Sequence, residues 1–168
     1  VLLSSFAILS QRYVVKGSKV KFKIKNAGVY VSGYFKTSVV ASINFSPEDL
    51  DNSKITASIL TKTLSTGNAK RDKHVMSDDY LDVAKYPRIK MVSNSIKKVG
   101  NKYVGNFSLT VKKTTKKMDV PFTYIKKGED YFFKAKFTID RKAFGVGGRS
   151  MIMGNEILVD VYTRAHKK

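Results

Sequence analysis

Residues 68–87, NAKRDKHVMSDDYLDVAKYP, interrupt a chain that otherwise alternates apolar and polar residues almost from end to end. Arg71, Asp72, His74, Ser77, Asp78, Asp79 and Asp82 crowd into what reads as about four helical turns, and Tyr86-Pro87 stops the pattern. A polar helical insert between strands is where a β protein places a lid, a cap or a site. Its meaning therefore depends on what the strands enclose.

Working outward, residues 18–26 place lysine at every second position, Lys19, Lys21, Lys23 and Lys25, around Val20, Phe22 and Ile24. That is the period of a strand with one wet and one dry face. Residues 31–46 form a long run that can bend at Gly33, and Ser46-Pro47-Glu48-Asp49 is a turn. Further runs cover residues 53–64, 88–97, 102–112, 120–124, 131–139 and 157–163, with turn signals at Gly100-Asn101 and Lys127-Gly128. The expectation is about eight strands joined mostly by short turns, hence antiparallel. Such a sheet avoids open edges by closing into a barrel, and a β-sandwich is the competing arrangement.

The 168 residues suffice for one domain with a real core, read as 12–168. Residues 1–11, VLLSSFAILSQ, read as a signal-peptide remnant or an N-terminal arm. Their apolar run is too short to span a bilayer as a helix. The absence of Cys removes disulfides, thiolate metal sites and a cysteine nucleophile. The net charge of +19 raises the possibility of nucleic acid or an anionic membrane surface as partner. The alternating lysines favour a solvated basic face, and the scarcity of arginine argues against specific nucleic-acid recognition.

In the insert, the expected roles are structural. Arg71 pairs a carboxylate, Asp72 caps a helix end or a strand amide, and His74 fills a satisfied core position. A headgroup role for Asn68, Arg71, Asp72 and His74 is the functional alternative. Ser77 lies within reach of His74 on one helix face, but Asp78-Asp79 is a poor orienter on that same helix, so catalysis is not expected. With only His74 and His166, no metal site is expected either. Gly145-Val146-Gly147-Gly148 lacks the Lys-Ser/Thr of a phosphate loop and reads as a turn between the last two strands. The charge run from Lys112 to Lys117 reads as a solvated hairpin tip. On the inward parity lie Phe22, Ile24, Phe35, Ile43, Ile59, Ile89 and Met91, then Phe107, Leu109, Phe137 and Ile139. These form either a solid core or the lining of an elongated cavity for an apolar chain, which Met76, Tyr80, Leu81 and Phe144 would extend.

The order of these signals resembles the YceI-like (polyisoprenoid-binding) family of bacterial periplasmic proteins. The resemblance rests most on Thr66-Gly67-Asn68-x-x-Arg71-Asp72-x-His74-Val75-x-Ser77-x-Asp79-Tyr80-Leu81-Asp82, running into Lys85-Tyr86-Pro87-x-Ile89. Arg141-x-x-Phe144-Gly145-Val146-Gly147 and Gly154-Asn155-Glu156-Ile157 add to it. Tyr80-Leu81 stands where the family usually has Phe-Phe, and Lys113 where it often has Gly. The resemblance implies an all-β, lipocalin-like, eight-stranded antiparallel barrel with a short helical insert around 68–85. It also implies a non-enzymatic, periplasmic or secreted carrier of a long-chain amphiphile: a polyisoprenoid, an isoprenoid quinone, or a fatty acid or amide. No cofactor is expected beyond that lipid. An anionic membrane surface and a homodimer are the further partners considered. The rival reading is a basic extracytoplasmic module that binds anionic membranes or nucleic acid.

Overall fold

The computed structural model describes residues 11–168, so the segment read as a signal-peptide remnant lies almost wholly outside the described residues. The strands are β1 (Arg12–Asn26), β2 (Val29–Phe35), β3 (Val40–Asn44), β4 (Lys54–Leu60), β5 (Leu64–Ser65), β6 (Arg88–Val99), β7 (Lys102–Val111), β8 (Thr114–Lys127), β9 (Asp130–Asp140) and β10 (Met153–Lys167). Among the described residues one α-helix, α1 (Ala69–Met76), interrupts them.

All pairings are antiparallel, and β10 returns to pair with β1 from Tyr13↔Lys167 to Asn26↔Met153. The other edge of β1 is shared: β3 takes Arg12 and Tyr13, and β2 takes Lys21 to Asn26. Thus β2 and β3 act as two halves of one stave, as do β4 and β5, and the sheet closes as an eight-stranded barrel.

The expected bend falls later than Gly33. That residue lies inside β2, opposite Phe22, and the break is at residues 36–39. Gly33 instead makes room: a Cβ there would run into the Phe22 ring. β1 also begins earlier than its alternation indicates. A β-bulge between Val15 and Gly17 shifts the register, so Tyr13 and Val20 both face inward although their positions differ in parity. A second bulge, between Ser93 and Ser95, does the same in β6. There the buried Ser93 Oγ accepts the Ile55 N–H at 2.9 Å.

The interior divides in two along the barrel axis. At the end where β1 begins and β10 ends, Tyr13, Ile43, Phe45, Ile96, Tyr103, Phe122, Tyr131 and Phe133 form an aromatic-rich cluster. Phe45 is 0% exposed at its centre, with the rings of Tyr103, Phe122, Tyr124 and Phe133 at 5.0–5.7 Å. These are edge-to-face contacts that add to the burial itself. Tyr13 and Tyr124 share a 2.7 Å hydroxyl–hydroxyl hydrogen bond, and burial raises the pKa of both phenols. At the other end Leu64, Leu81, Leu109, Val111, Phe144 and Val146 form a looser aliphatic cluster under α1.

Phe45→Ala should therefore lower stability by about 3–5 kcal/mol. Denaturant unfolding should read this as a lower midpoint with little change in slope.

Candidate functional site

The aliphatic half holds a partly open cavity of about 200 Å³. Its wall draws on β1 (Val20, Phe22), β2 (Phe35), β4 (Ala57, Ile59), β6 (Ile89, Met91), β7 (Leu109, Val111), β9 (Phe137, Ile139) and β10 (Ile157, Val159, Val161). Leu64, Val75, Leu81, Phe144 and Val146 close the end. Apart from Ser58, Lys90 and Arg141, every lining residue is hydrophobic.

Ten residues expected to meet a ligand line this space: Phe22, Phe35, Ile59, Leu81, Ile89, Met91, Leu109, Phe137, Ile139 and Phe144. Five do not. Ile43 belongs to the aromatic half, because β3 pairs with the first residues of β1. Phe107 is buried, but its ring folds back over Gly105, toward that same half. Ile24 lies one inward step past Phe22, toward the β1–β2 turn. Met76 and Tyr80 pack into the aliphatic cluster without facing the cavity, where Val75 and Leu81 take the wall. The β10 residues Ile157, Val159 and Val161 are further lining positions, marked by the same alternation that identifies their strand.

The insert is less helical than its polar run indicates. α1 stops at Met76, because the Ser77 N–H and Oγ both bond back to the His74 carbonyl, at 3.1 and 2.6 Å. Two further backbone bonds, Leu81 N to Val75 O at 3.0 Å and Val83 N to Met76 O at 3.1 Å, then turn the chain so that Leu81 is buried. An eight-residue helix is marginal alone. This one is clamped at its start. Asn68 Oδ1 accepts the Arg71 N–H at 2.9 Å as N-cap. Asp72 Oδ1 accepts both the N–H and the hydroxyl of Thr66, at 2.7 and 2.6 Å. Arg71 donates to the Thr66 hydroxyl and carbonyl at 2.8 and 2.9 Å, so its partner is Thr66 and not the expected carboxylate. Asp72 does take a backbone amide, as expected. His74 is exposed rather than a core residue, its ring 4.8 Å from that of Tyr80. Ser77 Oγ is committed to a carbonyl, so the pair has no nucleophile–base geometry. Among the described residues no three His, Cys, Asp or Glu side chains converge as metal ligands.

Arg141 is the polar residue that sequence reading passed over as a site. It is 1% exposed, at the capped end. Its Nε donates to Gly154 O at 2.8 Å, and its Nη1 to Val146 O and Gly148 O at 3.0 Å each. Nη2 makes longer contacts, 3.5 Å each, with Met153 O and Asn155 Oδ1. One guanidinium thus gathers the carbonyls of the loop between β9 and β10, and the loop presents Phe144 and Val146 to the cavity. The Gly-rich stretch is a wrapped turn, as expected. Gly147, at φ +69°, lies against the Tyr80 ring, and its N–H donates to Asp79 O at 3.0 Å, tying loop to insert. Lys112 of the hairpin expected to be merely solvated donates to Gly145 O at 2.8 Å.

The YceI-like domain family model matches residues 13–165. A UPF0312 protein of Pseudomonas savastanoi pv. phaseolicola is 33% identical over 159 residues, covering 88% of this chain and 82% of that protein. Among solved structures, Burkholderia cenocepacia BcnA superposes with a TM-score of 0.83 at 27% identity, over 88% of this chain and 95% of that one. A polyisoprenoid binding domain from Saccharophagus degradans, described as implicated in plant cell wall breakdown, shares the fold with a TM-score of 0.70 at 13% identity, over 95% and 99% of the two chains.

Replacing Arg141 with Met orphans the carbonyls it holds, at about 1–3 kcal/mol for each that finds no water. Arg141→Met should lower the melting temperature and speed amide exchange across 142–152, and Arg141→Lys should rescue it poorly, lacking the planar fork. The Thr66 hydrogen bonds hold the Asp72 carboxyl below its ordinary pKa. Its contribution is therefore complete above about pH 4, the ordinary carboxylate value, and is lost as pH falls through the lowered folded one. Urea unfolding between pH 5 and 2 should show that loss, and Asp72→Asn should remove its share.

Proposed function

Because this chain belongs to the YceI-like domain family, we propose that its hollow half-barrel binds the hydrocarbon part of a long-chain amphiphile, of polyisoprenoid, isoprenoid-quinone or fatty-acyl type. The observation that carries this reading is the cavity itself. Its wall is almost wholly apolar, and among the described residues no buried side-chain nitrogen or oxygen lacks a partner. Such a space has little to offer a polar substrate and much to offer an alkyl or prenyl chain. Each methylene moved into it from water contributes about 0.8 kcal/mol, so ten contribute roughly 8 kcal/mol before the costs of association.

The aromatic half modifies the picture of a continuous tunnel. Along β10 the wall runs from Ile157 to Val161, roughly 13 Å at 3.3 Å per residue. Beyond it, Phe133 and Phe45 block the axis. A ligand therefore ends against an aromatic floor, with its headgroup toward the insert and the β9–β10 loop. Selectivity then lies in chain length and headgroup, because a single methylene changes affinity only modestly. The role is carriage rather than catalysis. The protein works outside the cytoplasm in this reading, which rests on the family resemblance.

Organic extraction of purified protein followed by mass spectrometry should recover a long-chain lipid. Val159→Trp, which fills the cavity from β10, should lower its occupancy at least tenfold while circular dichroism stays β-rich. Finding no long-chain molecule in wild-type protein, and no binding on titration, would contradict the reading.

A further inference from the structure

We propose that the capped end of the barrel docks on an anionic lipid bilayer through an apolar tip formed by Val29, Tyr30, Met151 and Ile152. The inference rests on the carrier reading and adds the surface from which cargo is exchanged.

The tip unites two segments distant in sequence. The β1–β2 turn is Ala27-Gly28, and the Ala27 N–H donates to the Ile152 carbonyl at 2.8 Å. Asn26 pairs with Met153 on one side and Val29 on the other, so the turn and the end of the β9–β10 loop project together. Met151 is 104% exposed, Val29 67% and Ile152 64%. Tyr30 is also exposed. Four exposed apolar side chains gathered at one extremity differ from the scattered singles that any surface carries.

The surroundings are basic. Lys23 and Lys25 lie over the Tyr30 ring, 4.7 and 5.5 Å from its centroid. Arg149 is exposed beside Met151. No Asp or Glu occurs from Gln11 to Pro47 or from Arg141 to Gly154, and the paired carboxylates Asp140 and Glu156 flank the loop behind the tip. Apolar side chains and a tyrosine beside lysines suit the headgroup–acyl boundary of an anionic bilayer. They suit a second copy of this chain poorly, because two tips would bring lysines against lysines. Position completes the case: the loop that carries Met151 and Ile152 on its outer side presents Phe144 and Val146 to the cavity.

The test is co-sedimentation with vesicles of phosphatidylcholine and phosphatidylglycerol (7:3), against pure phosphatidylcholine, at about 0.1 M salt. Wild-type protein should partition preferentially to the anionic vesicles. Met151→Ser with Ile152→Ser, and separately Lys23→Gln with Lys25→Gln, should each weaken partitioning roughly tenfold. Lys97→Gln with Lys98→Gln, an equal charge change at the aromatic end, should weaken it less than about twofold. Equal losses at both ends would overturn the proposal in favour of diffuse attraction. So would wild-type protein that ignores anionic vesicles, including the case where the tip substitutions instead abolish self-association on sizing. Lipid content of the same preparations separates the two ideas: failed docking with retained cargo overturns docking alone, and preparations that neither contain nor take up lipid count against the carrier reading.

Discussion

Everything in this molecule depends on β1 being hydrogen-bonded along both edges. β10 lies against it over nearly its full length, and β3 and β2 divide the opposite edge. With β1 so enclosed, the sheet has no continuous free edge, and an interior exists that side chains must fill or leave hollow. How the interior is filled is then a question of side-chain volume. Aromatic rings from β1, β7, β8 and β9 pack together around Phe45, which is fully buried. Farther along the barrel the inward positions are mostly Val, Ile, Leu and Met, with Phe22, Phe35, Phe137 and Phe144 among them, and a cavity remains between them.

The capped end follows from that difference. An aliphatic half that does not fill itself must be covered, and the cover is made of short pieces that would not hold alone. α1 is clamped by Thr66 through Asp72 and Arg71, and the β9–β10 loop is gathered by Arg141. The bond from Gly147 N to Asp79 O joins the two covers. The residues that identify the family most clearly in sequence are therefore mainly fasteners. The groups that would touch a ligand are ordinary apolar side chains around them, aliphatic residues and four phenylalanines.

The strands were legible because inward and outward residues alternate, and the eight-staved barrel follows from short turns between them. Tyr13 was hidden because a bulge at Val15/Gly17 shifts the parity that would have marked it. Ile43 and Ile139 share an inward pattern although one lies in solid core and the other on the cavity wall. Periodicity reports facing, not whether opposite side chains meet. In sequence the insert looks more helical than it is, because its polar residues continue past Ser77, and only the bonds to the His74 carbonyl show where the helix ends. Arg141 gave no hint of burial, since an arginine in a glycine-rich stretch reads as solvated. Its partners are backbone carbonyls that leave no trace in residue types.

One half of the barrel is packed with aromatic rings, and the other is proposed to receive a hydrocarbon chain. Methyl NMR of lipid-stripped protein titrated with a long-chain fatty acid tests it most directly. Large shifts are expected at Val111, Ile139 and Val159, with Ile43 and Ile96 nearly unmoved. Shifts as large at Ile43 and Ile96, or shifts confined to exposed methyls such as those of Val29 and Ile152, would contradict it.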